Sequence, residues 1–325
     1  MKHFLSLVLS CIFVASLSAQ VKEHGRLHVH GNEIVGQDGK PVSLAGNSLF
    51  WSQEQGKFWD ARTIKWLKKD WKTQIVRAAM GVEWGGYLDH PDQERAKVIK
   101  VVDAAIANDL YVIIDWHDHR AQLHTREAIV FFQDMARRYA RYPNVIYELY
   151  NEPIGDTSWK DAVKPYSEQV IAVIRAIDPN NLIVVGSPHW SQDVDVAAND
   201  PIKDSNVAYS LHFYAGSHKE FLRDKAVAAM SRGVALMVTE WGSCNADGNG
   251  AIDRESTREW MDFMRKYHLI HCNWAVSDKK ETSSIVVNGT SPAGKWREDQ
   301  LTDAGKFVRG WVRSWSETPQ VADRQ

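Results

Sequence analysis

Cysteine is scarce in this sequence, with three residues in 325 and no Cys-x-x-Cys pair. That excludes a disulfide-dense small scaffold and gives no support to a zinc site built on paired thiolates. Proline, at ten residues, and glycine, at 20, are too few for a collagen-like or low-complexity chain. Neither sign of charge dominates. With 39 basic and 41 acidic residues the net charge is −2, which offers no electrostatic drive toward nucleic acid or an anionic membrane. No sequence repeat recurs. No Ser/Pro/Thr-rich linker is found, so an appended binding module is not expected. Beyond the amino terminus no apolar stretch approaches membrane length.

That amino terminus reads as an export signal. Lys2 and His3 form a short basic start, Phe4–Leu17 is an apolar run, and Ser18-Ala19 places small residues before Gln20. The run is too short for a spanning helix. It also continues past Cys11, which weakens a lipid-anchored reading there. The expectation is a signal over 1–19, one folded domain over 20–316 and a polar tail over 317–325. The mature protein is expected to be secreted, free of the membrane and monomeric. Cys244 and Cys272 would remain, and the sequence leaves their pairing open.

What the chain does have is a core and many large rings. Apolar residues make up 44% and charged residues 25%, and there are 14 tryptophans. Core filling accounts for part of that number, and flat binding platforms are the other use. Short β-branched or aromatic runs recur at Val42–Leu49, Gln74–Met80, Tyr111–His117, Val145–Asn151, Leu182–Ser187, Val207–Tyr214, Ala235–Trp241 and Ile270–Val276. Several are continuously apolar, as in strands covered on both faces. Helical patterns lie between them at Ala61–Trp71, Gln93–Asn108, Glu127–Tyr139, Lys160–Ile177, Lys219–Ser231, Glu255–Tyr267 and Thr302–Trp311, with a short one near Val194–Ala198. Alternation of this kind predicts an α/β fold, a single (β/α)8 barrel. A doubly wound sheet is the alternative, but no Gly-rich dinucleotide turn follows the first strand. Asn32-Glu33 and Asp38-Gly39 suggest a small hairpin closing the barrel bottom.

Barrels of this type carry their chemistry at the carboxyl ends of the strands. Those ends read Arg77, Asp115-Trp116-His117, Asn151-Glu152-Pro153, His212-Phe213-Tyr214, Glu240-Trp241-Gly242 and Asn273-Trp274. A purely structural barrel has no need of so many polar and aromatic groups on one rim. A lone Glu at a strand end is ordinarily a surface salt bridge. Glu152 and Glu240, however, sit on non-adjacent strands and can face each other across the mouth. Paired carboxyls so placed suit glycosidic cleavage, where one protonates the leaving oxygen and the other attacks or activates water.

The stretch Ile146-Tyr147-Glu148-Leu149-Tyr150-Asn151-Glu152-Pro153 resembles the fourth-strand signature of glycoside hydrolase family 5, and Thr239-Glu240-Trp241-Gly242 resembles its seventh. His212-Phe213-Tyr214, Asp115-Trp116-His117 and Arg77 fall where that family places them. Val21–Gly25, Trp190–Val194 and Asn273–Lys279 resemble its bacterial endoglucanase branch, and the likeness runs from about Val21 to Trp315.

That resemblance implies a retaining endo-β-1,4-glucanase acting on a β-glucan polysaccharide or oligosaccharide without metal or cofactor. It implies Glu152 as acid/base and Glu240 as nucleophile. Arg77 would keep Glu240 ionised, and Tyr214 would hydrogen-bond it. Asn151 would contact the sugar 2-hydroxyl, and His117 and His212 would line the cleavage subsite. Trp274 would form its floor, Trp51 a platform on the non-reducing side and Trp190 one on the leaving-group side. Lys279 and Glu281 would touch a neighbouring glucose. Trp84 and Tyr87, in the loop after the second strand, are expected to extend the cleft, whereas Trp59, Trp66, Trp71, Trp260 and Trp311 are expected to pack. His28 and His30 are read as surface residues. The end of the first strand lacks a histidine that some members of the branch carry, which removes one distal sugar contact. β-Mannanase and mixed-linkage glucanase use the same two glutamates and stay open as alternatives. A non-catalytic sugar-binding barrel fits poorly with both glutamates and Arg77 present. An aldolase-type barrel would need a Schiff-base lysine or phosphate loop, and neither is evident.

Overall fold

The computed structural model describes residues 20–316, so the expected signal and polar tail lie outside the described residues. A short helix α1 (Gln20–His24) leads into an antiparallel hairpin of β1 (His28–His30) and β2 (Glu33–Val35). The eight apolar runs then become eight parallel strands, β3 (Ala45–Leu49), β4 (Ile75–Gly81), β5 (Tyr111–His117), β6 (Val145–Glu148), β7 (Ile183–Val185), β8 (Val207–Tyr214), β9 (Leu236–Gly242) and β10 (His271–Val276). They close in sequence order, β10 pairing with β3. Every residue of these strands is buried, because the outer face meets helices and the inner face meets the opposite strands.

The helices are α2 (Ala61–Trp66), α3 (Pro91–Ala107), α4 (Thr125–Tyr139), α5 (Lys164–Arg175), α6 (Pro188–Ser191), α7 (Val194–Asn199), α8 (Glu220–Met230), α9 (Arg254–Lys266) and α10 (Asp303–Trp315). Two expected helices divide. The one over 61–71 ends its α-helical turns at Trp66 and continues as a wider turn over Leu67–Trp71. The one over 160–177 begins with such a turn at Trp159–Val163. Pro165 follows it, and without an N–H it cannot donate an i→i−4 bond there.

Alternation along each strand separates two layers. Ile75, Tyr111, Ile113, Ile146, Val184, Ala208 and Met237 fill the lower barrel and meet Leu27 and Ile34 of the hairpin segment, which plugs the bottom. Val76, Val112, Ile114, Tyr147 and Leu211 point outward into the layer beneath the helices, where Trp59, Trp71 and Trp260 are buried and Trp66 and Trp311 pack at its edge. Higher up, the inward positions turn polar. Arg77 follows Ile75, Asp115 follows Ile113, Glu148 follows Ile146, and Ser210 follows Ala208. His28 and His30 are exposed on the hairpin.

One strand breaks the alternation. Ser210 pairs with Met237 and His212 with Glu240, so two steps on β8 oppose three on β9. The extra residue is a bulge. It lets Thr239 and Glu240, consecutive in sequence, both face the interior, while Trp241 turns outward against Phe213, which itself stacks on Trp260. Cys244 and Cys272 are both buried and free, so they form no disulfide with each other.

Candidate active site

The upper interior is organised around Arg77, whose side chain is wholly buried. Its Nε donates to Glu148 Oε2 at 2.7 Å, Nη1 to Glu240 Oε2 at 2.9 Å, and Nη2 to Asn151 Oδ1 at 2.6 Å. Nη2 also lies 2.9 Å from Asp115 Oδ2. A planar guanidinium with five donors suits such a ring of acceptors, and a lysine would not. Glu148 takes further hydrogen bonds from Thr239 Oγ1 (2.6 Å) and Ser210 Oγ (2.9 Å). Burial alone would raise its pKa, but the Arg77 charge and His212 bring it down to about 2.

Glu240 accepts from the Tyr214 hydroxyl at 2.7 Å as well as from Arg77. Glu152 faces it, joined to His212 Nδ1 through a 2.9 Å hydrogen bond. One oxygen from each carboxyl and one His212 nitrogen all lie within 4.8 Å of one another. Glu240 titrates above the usual carboxylate value. Burial and the neighbouring Glu152 charge push it up, against the pull of His212, Arg77 and Tyr214. Arg77 is therefore in contact, yet its expected effect is outweighed in the free protein. Glu152 is held below the usual value, because the His212 hydrogen bond and charge overcome its burial. His212 itself rises to about 9 despite burial, because the Glu148 and Glu152 carboxylates lie beside its ring, at 3.8 and 2.9 Å, and favour the cation.

Since Thr239 gives its hydroxyl proton to Glu148, its oxygen is left to accept from His212 Nε2 at 2.8 Å. Both ring nitrogens thus face acceptors, which favours the cation. Its folded pKa lies above the ordinary 6.5, so this contribution to stability is complete below about 6.5 and is lost as pH rises through about 9. Melting temperature should therefore fall between pH 7 and 9.5 more steeply in wild type than in His212→Gln. Parallel melting curves would refute the charge assignment.

The remaining expected residues divide by position. His117 bonds Asp115 through Nδ1 at 2.7 Å and stacks on Trp274 at 5.2 Å and 6°. Trp274 is 6% exposed and leans on Phe50. Asn151 leaves its buried Nδ2 without a partner, a donor free for a ligand hydroxyl. Phe50, Trp51, Trp274, Lys279 and Glu281 line a cavity of about 310 Å³ on one side of the glutamates. Lys279 is tied to Glu54 at 2.8 Å and lies over the Phe50 ring. Trp190 lines a second cavity, of about 440 Å³, on the other side. Glu152 and Glu240 belong to both. Trp190 stands within three successive non-glycine residues of left-handed backbone, His189 to Ser191, with φ from 55° to 57°. Ser191 Oγ anchors the segment to the Asn151 carbonyl at 2.7 Å. Trp84 is 69% exposed beside Trp51, but Tyr87 is a correction. It is buried against Trp116 and Phe131 and reaches no cleft, because its ring fills the layer under α3 and α4.

Sequence reasoning assigned no role to Glu148, Asp115, Thr239 or Phe50, nor to His119, which lines both cavities, or His218, which lines the second. For the first two a signal was available, since each is an acid at an inward position of an otherwise apolar strand. As for a metal, Glu152, His212 and Glu240 are the one group among the described residues with ligand atoms close enough together to hold an ion. Taking one would cost the Tyr214, Arg77 and His212 hydrogen bonds those atoms now make.

Facing carboxyls at this spacing, set across an open cleft on a barrel rim, define a glycoside hydrolase of the two-carboxylate type. Comparison with known proteins narrows the class. Residues 35–280 match the family model described as cellulase, glycosyl hydrolase family 5. Endoglucanase Z of Dickeya dadantii is 54% identical over 293 residues, covering 89% of this chain and 66% of that protein. An endoglucanase of Clostridium saccharobutylicum is 42% identical over 301 residues, covering 92% and 67%. Among solved structures, the catalytic domain of Thermobifida fusca endoglucanase Cel5A superposes with a TM-score of 0.87 at 31% identity, covering 91% of this chain and all of that one. The chain belongs to the cellulase family, glycosyl hydrolase family 5. It spans about two thirds of the length of those two curated relatives.

Proposed function

We propose that this protein is a retaining endo-β-1,4-glucanase, with Glu240 as nucleophile and Glu152 as acid/base. The observation that carries the reading is the separation of the two carboxyls, with oxygens inside 4.8 Å. Double displacement works at about 5–5.5 Å between carboxyl groups, whereas inversion needs about 6.5–9.5 Å to admit a water. Glu240 attacks the anomeric carbon as the glycosidic bond breaks, and Glu152 gives its proton to the leaving oxygen. Glu152 then takes a proton from water, which displaces Glu240 and regenerates both groups. In the free protein His212 stores that proton, and the 2.9 Å hydrogen bond is the path along which Glu152 receives it once glucan covers the site. Arg77 and Tyr214 hold the attacking carboxylate in line. Asn151 Nδ2 meets the sugar 2-hydroxyl, and Trp274 supports the reacting ring. His117 borders that ring beside Trp274.

Space on both sides of the catalytic pair supports attack inside a chain. Trp51, Lys279 and Glu281 serve the non-reducing arm and Trp190 the leaving-group arm. The same reading makes residues 20–316 a monomeric catalytic domain that is exported after removal of residues 1–19. Among the described residues no helix is long and apolar enough to cross a membrane. Product analysis on carboxymethyl cellulose, glucomannan and barley β-glucan tests the substrate. Rapid viscosity loss on the first, with cello-oligomers as products, is expected, and a preference for mannan would overturn it.

Glu152→Ala separates the two steps. An aryl cellobioside with a good leaving group needs little protonation, so its glycosylation should suffer far less than that of cellulose. Azide should restore the second step and give the β-glycosyl azide, because two inversions retain configuration. Equal loss on both substrates with no azide product would remove Glu152 from the acid/base role.

A further inference from the structure

Trp84 is the most exposed tryptophan among the described residues at 69%, yet its ring is not loose. It lies parallel to Trp51, with centroids 5.4 Å apart and planes 11° apart. The loop that carries it is fastened at both ends. Gly81 N donates to Ser52 Oγ at 3.1 Å and Gln53 Nε2 to the Glu83 carbonyl at 3.3 Å, so the segment that bears Trp51 also holds this one. Gly86 N bonds the Glu83 carbonyl at 3.0 Å, and Gly85 N bonds Asp89 Oδ2 at 2.9 Å. Tyr87, buried behind, pins the exit. At the tip Trp84 itself has φ of 51°, left-handed backbone that glycine or asparagine adopts at less cost. Stability alone would not choose a tryptophan there. Its position bears on the cleft. Trp274 stacks on His117, His117 meets Trp51 at 4.8 Å, and Trp51 stacks on Trp84. These rings step outward from the catalytic pair, and Trp84 lies just beyond the residues lining the 310 Å³ cavity.

The geometry points to Trp84 as the outermost sugar platform of the non-reducing arm, binding one glucose further from the scissile bond than Trp51 does. The inference rests on the proposed endoglucanase reading. It makes Trp84 a specificity residue for chain length, a rigid aromatic face that acts only on substrates long enough to reach it.

Cellopentaose labelled with 18O at its reducing end tests this. Cleavage to a non-reducing-end trimer plus a dimer uses Trp84, and cleavage to a dimer plus a trimer does not. Mass spectrometry of the products gives the ratio of the two modes directly. In Trp84→Gly that ratio should fall about three- to tenfold, the range for one lost aromatic stack, and Trp84→Tyr should restore most of it. Melting temperature should hold or rise, because glycine relieves the backbone. A lower rate with an unchanged ratio would mean that Trp84 only braces Trp51. An unchanged rate and ratio would mean that it binds no sugar, and a higher ratio that it covers the face of Trp51. Any of these three overturns the inference. Failure of the wild type to cut cellopentaose at all would instead count against the endoglucanase reading.

Discussion

Glu240→Ala should lower the turnover of soluble cellulose by about ten-thousandfold or more, the scale seen when a nucleophile is removed from a concerted set. No other carboxyl can replace it. Glu148 and Asp115 lie behind Arg77 and are wholly buried, and Glu152 is committed to the leaving oxygen. The fold should survive, since Arg77 keeps Glu148, Asp115 and Asn151 as partners, and the donors left without an acceptor are the Tyr214 hydroxyl and Arg77 Nη1, both at the open cleft that the lost side chain vacates to water. Added azide supplies a sharper result than rate alone. Entering from the vacated face of Glu240, it should give the α-glycosyl azide from an activated β-glycoside by a single inversion. That is the opposite anomer from the Glu152→Ala product. The same anomer from both variants, or residual turnover above about a thousandth of wild type, would mean that Glu240 is not the attacking group.

The strand ends that hold these groups were legible in the sequence, because continuous apolar runs cut short by polar clusters mark both the barrel and its rim. Val145–Glu148 followed by Asn151-Glu152-Pro153 is such a case. Helix spans were legible as spans, but the wider turns at Leu67–Trp71 and Trp159–Val163 were not, since they depend on backbone register rather than on which face is apolar. The bulge in β9 was likewise invisible. Alternation alone would send Thr239 and Glu240 to opposite faces, and only pairing with β8 and β10 shows the extra residue. Tyr87 misled because its loop is exposed on either side while its own ring is buried. The left-handed run at His189–Ser191 carries no glycine and so gave no sign of its conformation. The charge balance around Arg77 also needed three dimensions. Asp115, Glu148 and Glu240 lie on three strands, and nothing local in the chain links them.

That balance leads to the largest expected effect on stability. Arg77→Met replaces a wholly buried cation by an apolar side chain and leaves three carboxyls around the space it occupied. Removing one partner from a buried ionic group typically costs about 3–5 kcal/mol, which for a domain of this size lowers the melting temperature by roughly ten degrees. The cost should depend on pH, with a definite sign. Without the guanidinium, burial raises the folded-state pKa values of the carboxyls above their unfolded values near 4. Below those unfolded values the groups are neutral in both states, and the extra penalty is absent. As pH rises past them, the unfolded chain releases protons that the folded variant retains, so the variant loses stability relative to wild type. The gap in melting temperature should therefore be smallest near pH 4 and widest at pH 7 to 8. Activity should fall with it, because a Glu240 that keeps its proton cannot attack. Melting curves of both proteins across that range decide the matter. A gap that stays constant with pH would show that Arg77 contributes packing rather than charge, and the electrostatic account of Glu240 would fall with it.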